Sequence, residues 1–171
     1  MRFEFESLDQ VPLEMYYDFS EGPLDPKIVK LVKAINYFGI ETKASCQGHL
    51  RRGHPFPWVS IWPPIHPDSD PKKLEALRKI DLKHEPDVYR RRFIEQEIKS
   101  LEKGIDFYQI IQEYNSNNAV KWRIDGTWLR PTTEARNLQQ LISLQQDAEK
   151  LAEYIFERSL AKSDMCVRFR Q

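Results

Sequence analysis

The sequence predicts an α+β protein with a mixed or antiparallel sheet of about six strands, one medium helix and two long packed helices. Three observations carry that expectation. Short stretches alternate apolar and polar residues with the period of a strand. Two long segments space their apolar residues as one helical face does. A two-residue Asp-Gly step between β-prone runs marks a hairpin. At 171 residues the chain is long enough for one substantial core and short for two, so a single domain is expected.

In chain order, Phe3 and Phe5 alternate with Glu4 and Glu6, and a second extended stretch follows from Val11 to Phe19. Asp25-Pro26 suits a helix start, because Asp accepts hydrogen bonds from free amides and Pro is tolerated at the first helical position. Ile28, Leu31, Val32, Ile35 and Phe38 then form one stripe, and Gly39 closes the helix. A strand is expected over 40–46 and another over 58–62, ended by Pro63-Pro64. Asp70-Pro71 begins a short helix to about Ile80. Pro86 opens a much longer one with a seam of Ile94, Ile98, Leu101, Ile105 and Tyr108, ended by the run Asn115-Ser-Asn-Asn118. Val120–Ile124 and Thr127–Arg130 are the arms of the hairpin, with Asp125-Gly126 as a type I′ turn. Thr132 or Thr133 caps the last long helix, which carries Leu138, Leu141, Ile142, Ala148, Leu151, Ile155 and Phe156. Cys166–Arg170 is expected as a closing strand or a frayed tail. Helices of nearly 30 residues reach roughly 45 Å at about 1.5 Å per residue. They should pack on each other and hold copies of the chain together as a homo-oligomer.

Composition excludes several classes. No apolar run approaches the roughly 18 residues of a membrane span, and the first residues lack the apolar stretch of a secretory signal, so a cytoplasmic location is the expectation. Lys plus Arg is 26 and Asp plus Glu is 26. That balance disfavours coating of nucleic acid by bulk charge, since counterion release rewards a large positive excess. Any anion site must therefore be local. Two cysteines far apart in the chain make no disulfide framework. A Walker loop, a dinucleotide glycine fingerprint and an HExxH motif are all absent from the sequence.

The candidate working surface is the polar loop from Ser45 to His54, set among tryptophans and arginines. Gly48 and Gly53 permit turns that project His49, Arg51, Arg52 and His54 toward a common anion. In the hairpin, Ile124 is expected opposite Thr127, with Trp122 facing Leu129 on the core side. Arg123 then faces Trp128, and Lys121 faces Arg130, on the other. Three cations beside an indole suit phosphate contact plus ring stacking; a solvated face with Arg stems lying over Trp128 explains the same residues. Arg90, Arg91 and Arg92 open the long helix, where cations are unfavourable against the dipole. A bound anion or nearby Glu85 and Asp87 would offset that.

Cys46, His49, His54 and His66 are zinc-ligand types, but only Cys46 and His49 lie close in sequence, and a buried strand-end thiol accounts for Cys46 as well. Cys46 with His49 also has the residue types of a nucleophile and its base, with Gly48 offering backbone donors and no evident third residue to orient the histidine.

The segment Gly39-Ile-Glu-Thr-Lys-Ala-Ser-Cys-Gln-Gly-His49, followed by Pro57-Trp-Val59, resembles the strand and loop around the Ser-Cys-x-Gly motif of wybutosine-synthesis methyltransferases that act on tRNA and of their small relatives. The resemblance covers about 20 of the 171 residues. It implies a pocket for a nucleotide-type ligand, S-adenosylmethionine included, formed by Thr42, Ser45, Cys46, Gly48 and His49. It departs at His49, where the tRNA-modifying members often carry Arg, and methyl transfer is not carried over.

The expected function is binding, by sensing or sequestration, of a small phosphate-bearing nucleotide-like ligand such as a cyclic nucleotide, without cofactor or metal. Arg51, Arg52, Arg123 and Arg130 would contact phosphate. Trp58 or Trp128 would stack on the ring, and Ser45, Gln47, His49 and His54 would supply hydrogen bonds. An S-adenosylmethionine-dependent enzyme acting on tRNA, which would make RNA a partner, and a helical interaction protein are the alternatives.

Overall fold

The computed structural model describes residue 5, residues 7–11 and residues 24–168, with 162–168 described by backbone alone. Among the described residues a 3-10 turn, Leu8–Gln10, precedes the main elements: α1 (Val29–Phe38), β1 (Glu41–Cys46), β2 (Trp58–Ile65), α2 (Asp70–Arg78), α3 (Val88–Asn117), β3 (Trp122–Pro131) and α4 (Leu138–Arg168). The architecture is α+β, and its sheet is antiparallel in the order β1-β2-β3. Among the described residues the sheet has three strand segments where about six were expected. Of the two strands expected before Asp25, most lies outside the described residues; Val11 is buried directly after the 3-10 turn. The expected closing strand is instead the last turn of α4 as far as Arg168.

α1 begins later than Asp25-Pro26 suggests. Its N-terminal flank, Ile28, offers no capping side chain, while Gly39 closes it with φ +97°. Asp25 supplies only its backbone oxygen to Ile28 N–H, at 3.0 Å; its carboxylate turns away to the loop after β1. α3 starts at Asp87, whose carboxylate accepts from Tyr89 N–H at 2.8 Å and Arg90 N–H at 3.2 Å. Glu85 lies 3.5 Å from Arg90, so acidic residues of this chain offset the cations at that helix end. α4 is capped by Asn137, which accepts from Gln140 N–H at 2.9 Å. Thr132 and Thr133 do not do so, because they stand one turn too early.

The long helices meet at Tyr114 and Tyr154, whose ring centroids are 5.5 Å apart, but α4 packs chiefly along α1. α1 sits between the two: Tyr37 meets Phe156 and Phe38 meets Phe107. The buried line of α3 is Ile94, Gly104, Phe107, Ile110, Ile111 and Tyr114. Of the expected seam only Ile94 is fully buried, and Ile98, Leu101, Ile105 and Tyr108 are half-buried. Gly104 explains the rotation. A methyl there would stand 3.3 Å from Ile65, so the glycine lets α3 lie directly on β2.

β2 runs through Pro63-Pro64 to Ile65, past the expected stop. β3 is one continuous extended segment that doubles back on itself. Thr132 N–H donates to Lys121 O at 2.8 Å, whereas a straight strand would hold those residues roughly 36 Å apart at about 3.3 Å per residue. Regular pairing from that bond sets Arg123 opposite Arg130 and Asp125 opposite Trp128, leaving Gly126 and Thr127 at the tip. At that tip Gly126 has φ +63° and Thr127 has a negative φ, which is the pattern of a type II′ turn, not type I′. The expected hairpin therefore exists with its register moved by two. A shift of two preserves sides: Trp122, Leu129 and Pro131 are buried, while Arg123 and Asp125 are exposed.

One core cluster joins α1, α3 and α4 to the inner sheet face at Val59, Ile61, Ile65, Trp122 and Leu129. A smaller cluster of Phe56, Ala135, Leu141 and Leu144 lies against Trp58. Trp122 is held three ways: its indole N–H donates to Asp147 Oδ2 at 2.7 Å, and its backbone N–H and C=O pair with the Asn115 side chain, each at 2.7 Å. Tyr114 O–H also donates to the Asp147 backbone oxygen at 3.4 Å. Burial, reinforced by Asp147, pushes the Tyr114 hydroxyl far above its ordinary range, so it remains a donor.

Asp147→Ala leaves the buried Trp122 N–H without an acceptor, and the expected loss is about 2–3 kcal/mol. Asp147→Asn keeps an oxygen there and should lose distinctly less. Urea unfolding of the two variants measures the difference; equal losses would remove the hydrogen bond as the cause.

Candidate functional site

The loop between β1 and β2 is held by bonds along most of its length. Gln47 is fixed from three sides: its N–H donates to Asp25 Oδ2 at 3.1 Å, its carbonyl accepts from Gln145 Nε2 at 3.1 Å, and its side-chain oxygen accepts from Lys27 N–H at 3.3 Å. His49 N–H donates to His54 O at 2.8 Å, closing the tip that carries Leu50, Arg51, Arg52 and Gly53. Ala135 N–H donates to Pro55 O at 2.9 Å and ties the loop's return to the segment after β3. Gly48 and Gly53 have φ +89° and +80°, the left-handed region that favours glycine.

Two chemical groupings result. At the end of β1, a carboxylate oxygen of Asp25, Cys46 Sγ and a ring nitrogen of His49 all lie within 4.8 Å of one another. His49 Nε2 is 3.6 Å from Asp25 Oδ2, and Gly48 N–H donates to Cys46 Sγ at 3.3 Å. Burial pushes the Cys46 thiol above its ordinary range; the Gly48 N–H draws it down, and the Asp25 charge and hydrogen bond push it up again. The net direction is unfavourable for a free thiolate nucleophile at neutral pH. Sequence reasoning missed Asp25 here, having read it as a helix cap. It lies 21 positions before Cys46 in the sequence, and no local pattern signals that contact.

The second grouping lies where the loop returns. Trp58 and Trp128 stack at 4.5 Å with 19° between their planes. His54 stands edge-on to Trp128 at 5.1 Å and to Trp58 at 6.2 Å, and its ring is 5.2 Å from that of Phe56. The Arg130 guanidinium sits over Phe56 at 5.1 Å and 3.6 Å from the Asp125 carboxylate, which Arg123 approaches at 3.4 Å. A shallow depression of about 420 Å³ is lined by His54, Phe56, Asp125, Trp128, Arg130 and Glu134. The end of the loop and the doubled strand therefore meet within one chain. Phe56 and Glu134 were not expected there; each falls in a segment with no motif of its own.

Other expected residues fall elsewhere. Thr42 is fully buried and accepts from Asn36 Nδ2 at 2.9 Å, so it serves the core and lines no open surface. Ser45 is half-buried as the register partner of Val59. Arg51 and Arg52 are exposed at the loop tip, away from the lining of the depression. His54 faces rings, and His66, whose backbone N–H donates to Asp70 at 2.7 Å, stands apart from Cys46. The four-residue zinc combination is therefore not assembled.

The two left-handed glycines of the loop separate conformational strain from collision. A methyl on Gly48 would lie 2.7 Å from the Phe56 backbone carbon, whereas one on Gly53 would meet nothing within 4 Å. Gly53→Ala should cost about 1–2 kcal/mol for the backbone conformation alone. Gly48→Ala should cost at least about 3 kcal/mol, strain plus displacement of the Phe56 backbone; equal unfolding midpoints would contradict the collision. No family model, curated protein or solved structure matches this chain.

Proposed function

We propose that this protein binds a small ligand carrying a planar ring and a phosphate-type group at the depression between the loop's return and the doubled strand. The observation that carries the reading is Trp128, stacked on Trp58, with Arg130 lining the same depression. A stacked indole pair braced edge-on by His54 is a preformed platform, so little conformational entropy is lost when a ring settles on it. The volume of about 420 Å³ is within the range of roughly 300–1,000 Å³ occupied by small-molecule sites.

Charge limits any anionic group to a modest size. Arg123 and Arg130 share one carboxylate, Asp125, and Glu134, which also lines the depression, brings the four charges to balance. One phosphate fits that balance better than a chain of them. An arginine fork can meet two oxygens of it at once. A nucleotide or a cyclic dinucleotide has both parts, and sensing or sequestration requires nothing further from the site. The exposed Arg51 and Arg52 would extend contact to a longer ligand such as an RNA end.

A second reading, association of copies through the long helices, is favoured by Tyr89 and Phe93, 83% and 64% exposed in the first turns of α3. A monomeric mass in light scattering would remove it.

Tryptophan fluorescence titrated with mononucleotides and cyclic dinucleotides should report saturable, stoichiometric quenching. The double variant Arg123→Ala with Arg130→Ala should weaken binding at least about tenfold, the loss of one charge-assisted hydrogen-bond pair, with Trp128→Ala comparable. Unchanged affinity in the arginine pair would place the phosphate elsewhere. Salt-dependent binding of tRNA without mononucleotide binding would favour the RNA-acting alternative.

A further inference from the structure

We infer that Asp25, Cys46 and His49 form a binding site for one divalent metal ion of the zinc class, at the end of β1 and separate from the ring platform. Their donor atoms form the one group of three such donors found within reach of each other among the described residues. The inference does not depend on the ligand-binding proposal.

Geometry is the first support. A tetrahedral ion with bonds of about 2.0–2.3 Å sets its ligands roughly 3.3–3.8 Å apart. The His49 Nε2 to Asp25 Oδ2 distance of 3.6 Å already lies there. The remaining separations lie within 4.8 Å, so closing the set takes a shift of about 1 Å at most. Side-chain rotation supplies that, because His49 and Asp25 stand on loops and Cys46 on a strand end.

The backbone around the three donors is the second support. Gly48 N–H already points at Cys46 Sγ, and Gln47 N–H at Asp25 Oδ2. Outer hydrogen bonds of this kind orient ligands and share the charge of a thiolate or carboxylate. The His49 backbone is fixed by its bond to His54 O. With the backbone set, only side-chain torsions are left to adjust.

Donor chemistry selects the ion. Thiolate and imidazole disfavour magnesium and calcium and suit zinc and its neighbours, with the carboxylate as third ligand. Three protein ligands leave a fourth position for water or an incoming ligand, the arrangement of reactive zinc sites as opposed to closed structural ones. His49 and Asp25 keep part of their side chains exposed, at 46% and 32%, so that position opens to solvent.

The probe is Co²⁺, added to the full-length Cys166→Ser chain after chelation and dialysis. Expected are one equivalent bound, tetrahedral visible bands, a near-ultraviolet thiolate-to-cobalt transition, and displacement by Zn²⁺. Cys46→Ser should abolish the thiolate transition. Asp25→Asn and His49→Ala should each weaken binding at least about tenfold, the smallest loss typical even for residues one layer outside a metal. His66→Ala should leave it unchanged. Absence of the thiolate transition would overturn the inference. So would full affinity in both the Asp25→Asn and His49→Ala chains. Should Asp25→Asn disturb the fold, His49→Ala decides alone, since its side chain is half exposed.

Discussion

The burial of Trp122 is the constraint on which the arrangement rests. Its side chain is 1% exposed, and the polar atoms around it are met by one residue from each long helix, Asp147 from α4 and Asn115 from α3. An unpaired indole N–H or strand amide at that depth would cost about 1–3 kcal/mol each. The doubled strand can therefore dock in essentially one place, between the end of α3 and the middle of α4. Once it is there, alternation along the strand decides everything on its far side. Leu129 points inward with Trp122, and Trp128 and Arg130 point outward. The outward residues form a surface only because the inward ones are fixed.

The two faces of the sheet differ accordingly. The inner face is covered by α1, α3 and α4 and filled with aliphatic and aromatic residues. On the outer face the register brings Trp58 opposite Cys46 and Trp128 opposite Ser60, and the start of α4 reaches Trp58 through Leu141 and Leu144. Large rings on a thinly covered face lose further contact with water by packing on one another, and the Trp58–Trp128 stack does this. A stack of that kind stabilises the sheet and presents a flat apolar ledge. The same packing thus has a structural and a recognitive consequence.

Much of the fold was legible because it depends on local pattern. The stripe from Ile28 to Phe38, the closing Gly39, and the sidedness of the doubled strand follow from period and turn chemistry, and they hold in the structure. The register of the doubled strand was not legible. Asp-Gly and Gly-Thr both satisfy a two-residue turn, and the choice falls to contacts such as Trp122 with Asn115, seven residues away. The seam of α3 was misplaced for a related reason: counting apolar residues treats Gly104 as a defect, whereas its missing side chain is what admits Ile65. In the candidate site, the loop could be read but its partners could not. Asp25, Gln145 and Glu134 come to it from 22 to 98 positions away, and a capping role for Asp25 was the better local explanation.

The loop joins the two groupings through a short stiff path. Cys46 and Trp58 are register partners at its base, and the His49 to His54 bond closes its tip. Gly48 lies so close to Phe56 that a single added carbon would overlap it. A displacement of His49 or Cys46 by an ion therefore has few ways to dissipate before it reaches Phe56, over which the Arg130 guanidinium sits. Packed contacts at such distances resist compression and pass small shifts onward. Two ligands bound at the two groupings would thus share the same eleven-residue connection from Gln47 to Pro57. Where both bind one loop geometry better than another, the coupling is reciprocal, and each changes the affinity of the other by the same factor.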